Sequence, residues 1–275
     1  MTTKALTVIE RRHGLLSLDL QALWHYRELL YFLVWREVKV RYKQTAIGIA
    51  WAVLRPVLTM LIFTVVFGHF AAIPSDGLPY ALFAYTALLP WSYFADAVGR
   101  SGVCLVGDAN LLRKVYFPRL VIPLASVLSP LVDFAVTFIV LMGMMAWFGV
   151  APPRVASTLP LFLALAFCTA LAMGLWLSAL HVRYRDVGHT IPVLIQMLMY
   201  ASPIAYPVAL VPERWRLLYS LNPMVGVVEG FRWGLLGKAA PDLRLMAVST
   251  VVVMVLLITG TAFFRGMERS FADVV

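Results

Sequence analysis

Charge is scarce in this sequence. Asp, Glu, Lys and Arg make up 13% of its 275 residues, against about a quarter in soluble domains. A water-facing surface cannot be built from so few charges, which excludes a soluble globular domain. Cysteine is scarcer still: Cys104 and Cys168 sit in separate apolar segments with no partner spacing. They read as small buried hydrophobes, and no disulfide or metal site is expected of them. A phosphate-binding loop of the form Gly-x-x-x-x-Gly-Lys-Ser/Thr is also missing. The nearest approach, Gly237-Lys238, lacks the first glycine and the hydroxyl. The chain is therefore not expected to hydrolyse ATP by that route.

Catalytic groups are equally thin. Asp96, Asp133 and Glu229 lie in or near apolar segments, but on different segments and without paired-carboxylate spacing. His69, His181 and His189 form no metal-ligand pattern. No catalytic residue and no metal ligand is assigned, which disfavours a membrane-embedded glycosyl- or acyltransferase. No short apolar run with a small-residue cleavage site opens the chain, so no secretory signal peptide is expected. No matched pair of broken spans marks its two halves, which weakens a secondary-transporter reading.

What is present is apolar: 61% hydrophobic residues and a mean hydropathy of +0.84. A spanning helix needs about 20 mostly apolar residues to cross about 30 Å of hydrocarbon. Six segments qualify, at about 47–70, 78–98, 120–148, 159–180, 191–211 and 245–264. The expected fold is an all-α membrane protein in three parts. A cytoplasmic segment covers 1–46, a transmembrane domain 47–264 and a cytoplasmic tail 265–275.

The net charge of +9 does not point to nucleic acid, because the basic residues bracket the apolar runs. Lys4, Arg11, Arg12, Arg27, Arg36, Lys39, Arg41 and Lys43 precede the first span. Arg100, Arg113, Lys114 and Arg119 follow the second, Arg183 and Arg185 the fourth, and Arg265 and Arg269 the sixth. Basic loops stay inside, so both termini are expected in the cytoplasm, facing an anionic leaflet.

Two stretches fit neither span nor plain loop. In the first, Tyr31, Val34, Trp35, Val38 and Tyr42 recur at helical spacing, with Arg36, Lys39 and Lys43 on another face. Glu37 stands four residues before Arg41 in the favourable order. This pattern predicts an amphipathic helix at the membrane surface, as an anchor or as a docking element for a cytoplasmic partner. The second stretch, 212–238, carries both charge signs. Pro212-Glu213-Arg214-Trp215 opens a short helix, and Asn222-Pro223 is a helix start, with Asn as cap and Pro in the first turn. The stretch is too short and polar to span and reads as a re-entrant or interfacial helical hairpin. Gly226, Gly230 and Gly234 share one face, where a second helix can approach closely. Glu229 and Arg232 can neutralise each other.

The remaining candidates have two readings each. Asp133 is the charge deepest in a span. It is either a functional intramembrane group or a carboxylate hydrogen-bonded within the bundle, and the second reading is preferred because no proton-relay partner is near it in sequence. Asp96 and Arg100 are expected to form a local ion pair. Tyr80, Phe83, Tyr85, Trp91, Tyr93 and Phe94 crowd the second span, and Tyr200 and Tyr206 flank Ser202-Pro203. Core packing and interfacial belts account for most of these rings. Tyr85, Trp91, Tyr93, Phe94, Tyr200 and Tyr206 are alternatively candidates to line a conduit, where weak repeated stacking would let a sugar polymer slide.

Several stretches resemble the membrane subunit of polysaccharide-exporting ABC transporters of the ABC-2 type. They are the run Trp35–Thr45, Gly48 with Trp51, Leu54-Arg55-Pro56, the run Leu112–Arg119, Leu131-Val132-Asp133-Phe134, and Asn222-Pro223-Met224 through Glu229-Gly230-Phe231-Arg232-Trp233. The resemblance covers nearly the whole chain. It implies a half-transporter in the inner (plasma) membrane of a Gram-negative bacterium. This half-transporter would pair with a second copy of itself and with two copies of a separate ABC ATPase, where ATP and Mg would bind. It implies a coupling surface at Arg36, Glu37, Lys39, Arg41 and Lys43. The surface continues at Asp108, Asn110, Leu111, Leu112, Arg113, Lys114 and Tyr116, where an acidic start and a basic end suit a short helix. It further implies that the hairpin gates the exit, through Trp215, Asn222, Gly226, Glu229, Gly230, Arg232 and Gly234, with the glycine face letting the two re-entrant segments pack closely. The implied cargo is a lipid-linked, O-antigen-like polysaccharide. The alternative is an ABC-2 exporter of a small lipid or drug.

Overall fold

The computed structural model describes residues 20–43, 48, 50–75, 77–115, 117–237, 240–268 and 271, with side chains from residue 23. Lys4, Arg11, Arg12, Gln44, Thr45, Tyr116, Lys238 and Arg269 lie outside the described residues. Those described fold into α-helices, 3₁₀ turns and one π-helical stretch, with no strand among them. The chain is an all-α membrane protein.

Two helices, α1 (Leu20–His25) and α2 (Arg27–Lys43), precede α3 (Ala50–Phe63), which runs on as a π-helical stretch, Thr64–Phe70. Then come α4 (Tyr80–Gly107), α5 (Ala109–Lys114), α6 (Val121–Leu128), α7 (Leu131–Trp147), α8 (Leu159–Arg183) and α9 (Val187–Tyr200). The last three are α10 (Glu213–Tyr219), α11 (Pro223–Leu236) and α12 (Leu243–Met267). Four of the described segments are long and apolar enough to cross a membrane: Ala50–Phe70, Val121–Trp147, Arg154–Arg183 and Leu243–Met267. α4 is longer than three of these four but is diluted by Tyr, Trp, Ser and Asp side chains. It lies at the centre, with Leu82 to Trp91 buried throughout.

Helix boundaries depart from the hydropathy reading in three places. α4 continues well beyond Val98, because Ser101 and Gly102 let it stay packed against α8 and α9. An added Cβ on Gly174 of α8 would meet Ser101 Oγ at 2.2 Å, and one on Gly102 would meet Ile191 Cδ1 at 2.5 Å. The third apolar segment keeps helical backbone angles through Ser129 and Pro130, but Pro130, which has no N–H, interrupts its hydrogen-bond ladder between α6 and α7. The fifth, expected over 191–211, is helical only to Tyr200. Pro203 has no N–H and disfavours helical backbone at the residue before it, and Pro207 repeats the restriction four residues on.

The break after α9 leaves Ser202 to Ala205 buried, and the helical bonds end with Ser202 N to Met199 O at 3.3 Å. Away from water such backbone needs partners from elsewhere in the protein. Three side chains supply them. Arg232 donates to Ile204 O at 2.9 Å and to Tyr206 O at 3.3 Å. The Tyr80 hydroxyl donates to Ala205 O at 2.6 Å, and Asn222 Nδ2 donates to Ala201 O at 3.0 Å.

α11 is inserted into the bundle rather than laid on it. Its glycine face meets α8 and α12 of the same chain: an added Cβ on Gly230 would lie 2.2 Å from Phe162 Cδ1, one on Gly234 3.0 Å from Leu159 Cδ2, and one on Gly226 3.1 Å from Ser249 Cβ. This corrects the expectation that the glycines bring two re-entrant segments together, because α8 and α12 already fill that face. The Asn222 cap forms as the sequence predicts, accepting from Met224 N at 3.1 Å. Its amide also donates to Ser202 Oγ at 2.9 Å. Asn222→Ala removes the cap, which costs about 1 kcal/mol, and the two bonds Asn222 makes to the α9 break. Thermal unfolding in detergent is expected to move several degrees lower. A melt unchanged from wild type would show that the cap carries no stability.

Candidate functional site

The interface helix lays its leucines on the bundle and turns Tyr31 and Trp35 away from it. Leu33 is buried, while Tyr31 is 71% and Trp35 54% exposed. Leu29, Leu30, Leu33 and Val34, followed by Glu37 and Arg41, face the bundle, Tyr42 borders the cleft described below, and Tyr31 and Trp35 face outward. Exposed Tyr and Trp suit the membrane-surface position expected of this helix.

α2 is tied to the start of α5 by Arg36, whose Nη2 lies 2.8 Å from both carboxylate oxygens of Asp108. Of the residues assigned to a coupling surface, Lys39, Lys43, Asn110, Arg113 and Lys114 are exposed, Leu111 is half-buried and Leu112 is buried. Glu37 and Arg41 are half-buried and turned inward. Glu37 accepts from Ser126 and Ser129, both at 2.7 Å. Arg41 donates to Ser129 Oγ at 3.0 Å and pairs with Asp133. Burial, then the neighbouring Arg100, lowers the Arg41 pKa to about 10, so the side chain stays charged at neutral pH. Glu37 and Arg41 therefore hold the bundle together and are not part of an outward-facing surface. Asp133 is bonded within the bundle, and its cation comes from α2, 92 residues away.

A cleft of about 890 Å³ opens beside this network. Its walls are Arg41 of α2, Trp51 and Arg55 of α3, Trp91, Tyr93, Asp96 and Arg100 of α4, Asp133 and Thr137 of α7, and Ile195 and Gln196 of α9. Arg55 reaches Asp96 at 3.1 Å. That contact corrects the expected Asp96–Arg100 pair: Arg100 lies one turn further along α4 and faces Arg36, Glu37 and Arg41. The cleft thus combines indole faces, a phenol, an amide and ion-paired carboxylates and guanidiniums. Such a wall can stack on the C–H face of a ring and exchange hydrogen bonds with hydroxyls. Among the described residues, no three His, Cys, Asp or Glu side chains come together as a metal site.

The candidate lining aromatics divide. Trp91 and Tyr93 border the cleft, while Tyr85 and Phe94 are packed in the core beneath it. Tyr200 is 61% exposed at the end of α9. Tyr206 bonds Tyr219 hydroxyl to hydroxyl at 2.9 Å, between the α9 break and α10. The residue that sequence reasoning missed is Trp51, half-exposed on the cleft wall. Its signal was its place beside Arg55, at the opening of the first apolar run. In the hairpin, Arg232 pairs with Glu229 at 3.2 Å, as their spacing predicts, and its guanidinium lies 3.6 Å from the centre of the Phe83 ring. Trp215 is half-exposed on α10.

The elements just described, from α2 to the end of α11, coincide with the match to a family model, that of the ABC-2 type transporter, over residues 28–236. The chain belongs to the ABC-2 type transporter family. Individual members of the family align along almost their full length. An O-antigen export system permease protein RfbA of Myxococcus xanthus is 28% identical over 256 residues, 92% of this chain and 97% of that protein. An RfbA of Klebsiella pneumoniae is 24% identical, over 90% of this chain and 95% of that one. The polysialic acid transport protein KpsM of Escherichia coli is 23% identical, over 86% and 92%. The cleft, the α2 network and the α11 hairpin all fall inside the ABC-2 match, and α12 follows it.

Proposed function

We propose that this ABC-2 chain is the channel-forming permease subunit of an ATP-driven exporter that carries lipid-linked polysaccharide from the cytoplasm to the outer face of the inner membrane. The observation that carries this reading is the end-to-end similarity to permeases named for O-antigen export and polysialic acid transport. The cleft supports it, since indole faces and paired charges suit sugar rings and hydroxyls. Two copies of this chain would form the channel, with two copies of an ABC ATPase supplying the ATP and Mg sites. Lys39, Lys43, Asn110, Arg113 and Lys114, held in register by the Arg36–Asp108 pair, would face that ATPase. α4 and α9 would complete six spans, with both termini in the cytoplasm of a Gram-negative cell. The 213–236 hairpin would then stand at the exit.

Deletion of the gene in its native host tests this reading. Surface glycan is expected to disappear while lipid-linked glycan accumulates inside, and the wild-type gene is expected to restore both. Unchanged surface glycan, in a strain without a second exporter, would instead favour a small lipid or drug as cargo.

A further inference from the structure

α2 holds the third apolar segment at the place where Pro130 breaks its ladder of helical hydrogen bonds. α6 ends at Leu128 and α7 begins at Leu131, leaving Ser129 and Pro130 between them. Ser129 is fully buried, and its hydroxyl is used twice. It donates to Glu37 at 2.7 Å and accepts from Arg41 at 3.0 Å. On either side of the break the same two α2 residues make a further bond each. Glu37 accepts from Ser126 in α6, and Arg41 pairs with Asp133 in α7. One turn of α2 thus bridges both arms of the break.

Stability alone does not account for this arrangement. Buried ion pairs gain little over apolar packing, because desolvation offsets their attraction. Their directional bonds do fix the position of one element against another. Asp133 and Thr137 on α7 also line the cleft, so whatever displaces α2 displaces a cleft wall.

We propose that Glu37, Ser129, Arg41 and Asp133 form a clamp that makes α2 and α7 one moving body. Through it, a push on α2 from the partner ATPase becomes a change in cleft shape. This inference rests on reading the chain as the permease of an ATP-driven exporter. Ser129 is the hub, and Glu37 and Ser129 are positioning residues that stay outside the cleft.

The test uses the native host's deletion strain carrying Ser129→Ala, Glu37→Met, the two together, or Ser129→Thr. Surface glycan is measured in cells, and ATP hydrolysis in membrane vesicles normalised to the amount of complex. Ser129→Ala and Glu37→Met are each expected to lower surface glycan about tenfold while hydrolysis stays within about twofold. The double variant should be no worse than the worse single one, as for residues acting as a unit. Ser129→Thr, which keeps the hydroxyl, should restore export. Loss of export and hydrolysis together, in proportion to complex, would reduce the network to a structural role and overturn the proposal. So would wild-type export in Ser129→Ala, or multiplying losses in the double variant.

A second readout needs no polysaccharide. Thr137→Cys, in a Cys104→Ser, Cys168→Ser background, is labelled with a small thiol reagent with and without ATP. ATP should change the labelling rate about threefold with the clamp intact and hardly at all once Ser129→Ala is added. An equal response to ATP with and without Ser129→Ala overturns the clamp. A clamp-dependent response in a strain whose surface glycan never depended on this gene would leave the clamp standing and sink the polysaccharide reading alone.

Discussion

Gly230→Leu is expected to abolish the folded transporter, and Gly230→Ala to weaken it. Alanine is favoured over glycine in a helix by about 1 kcal/mol, so propensity alone predicts a more stable protein. The contact reverses the sign. An alanine Cβ would lie 2.2, 2.3 and 2.5 Å from three ring carbons of Phe162, well inside van der Waals contact. Phe162 is itself buried, with its ring edge-on to Trp233. α8 cannot easily retreat, because Gly174 on the same helix is closed against Ser101 of α4. Overpacking of this kind costs about 1–3 kcal/mol for one added carbon, and leucine adds three more. Thermal unfolding and size-exclusion profiles in detergent measure both variants. Phe162→Leu combined with Gly230→Ala should recover most of the loss. A higher melting temperature for Gly230→Ala alone would mean that α8 and α11 are not in such close contact.

Arg232→Met is expected to be nearly as damaging, and Arg232→Lys not to rescue it. Methionine keeps much of the volume but leaves Ile204 O and Tyr206 O without the Arg232 donor and removes the guanidinium beside Glu229. Removing one partner of a buried pair costs about 3–5 kcal/mol. Lysine restores the charge, but a single ammonium cannot span two carbonyls while lying flat over Phe83, as the planar guanidinium does. Both variants should lose surface glycan, and limited proteolysis should cut newly at residues 201–207. A methionine variant with wild-type export and the wild-type digestion pattern would refute this role for Arg232.

Much of this was readable before the fold. Charge scarcity and long apolar runs identify a membrane protein, because the bilayer leaves so few alternatives. Asn222-Pro223 and the Glu229–Arg232 spacing are local chemistry, and both form as written. Features that depend on contact at a distance were not legible. Hydropathy measures how apolar a stretch is, not whether its backbone continues, so the fifth segment read as one run to 211 although its α-helix ends at Tyr200. The Arg55–Asp96 and Arg41–Asp133 pairs join residues 41 and 92 positions apart, and no periodicity connects them. On α2 the surface position of Tyr31 and Trp35 was legible, but not that its leucines and a Glu–Arg pair are what the bundle accepts. The lone charge in the third span did carry a usable signal, since a buried carboxylate requires a partner. What the sequence withheld was that the partner lay on the helix assigned to docking.

The non-helical turn after α9 has a consequence for how the chain is made. The carbonyls of Ala201 and Ile204 are bonded by Asn222 and Arg232, which are synthesised 21 and 28 residues after the groups they serve. Until α11 has been made, these two carbonyls lack the donors that the finished fold gives them, and only Tyr80, on Ala205, precedes the turn. Completion of the turn thus waits for α11, and the order in which segments leave the ribosome is not the order in which their hydrogen bonds are completed.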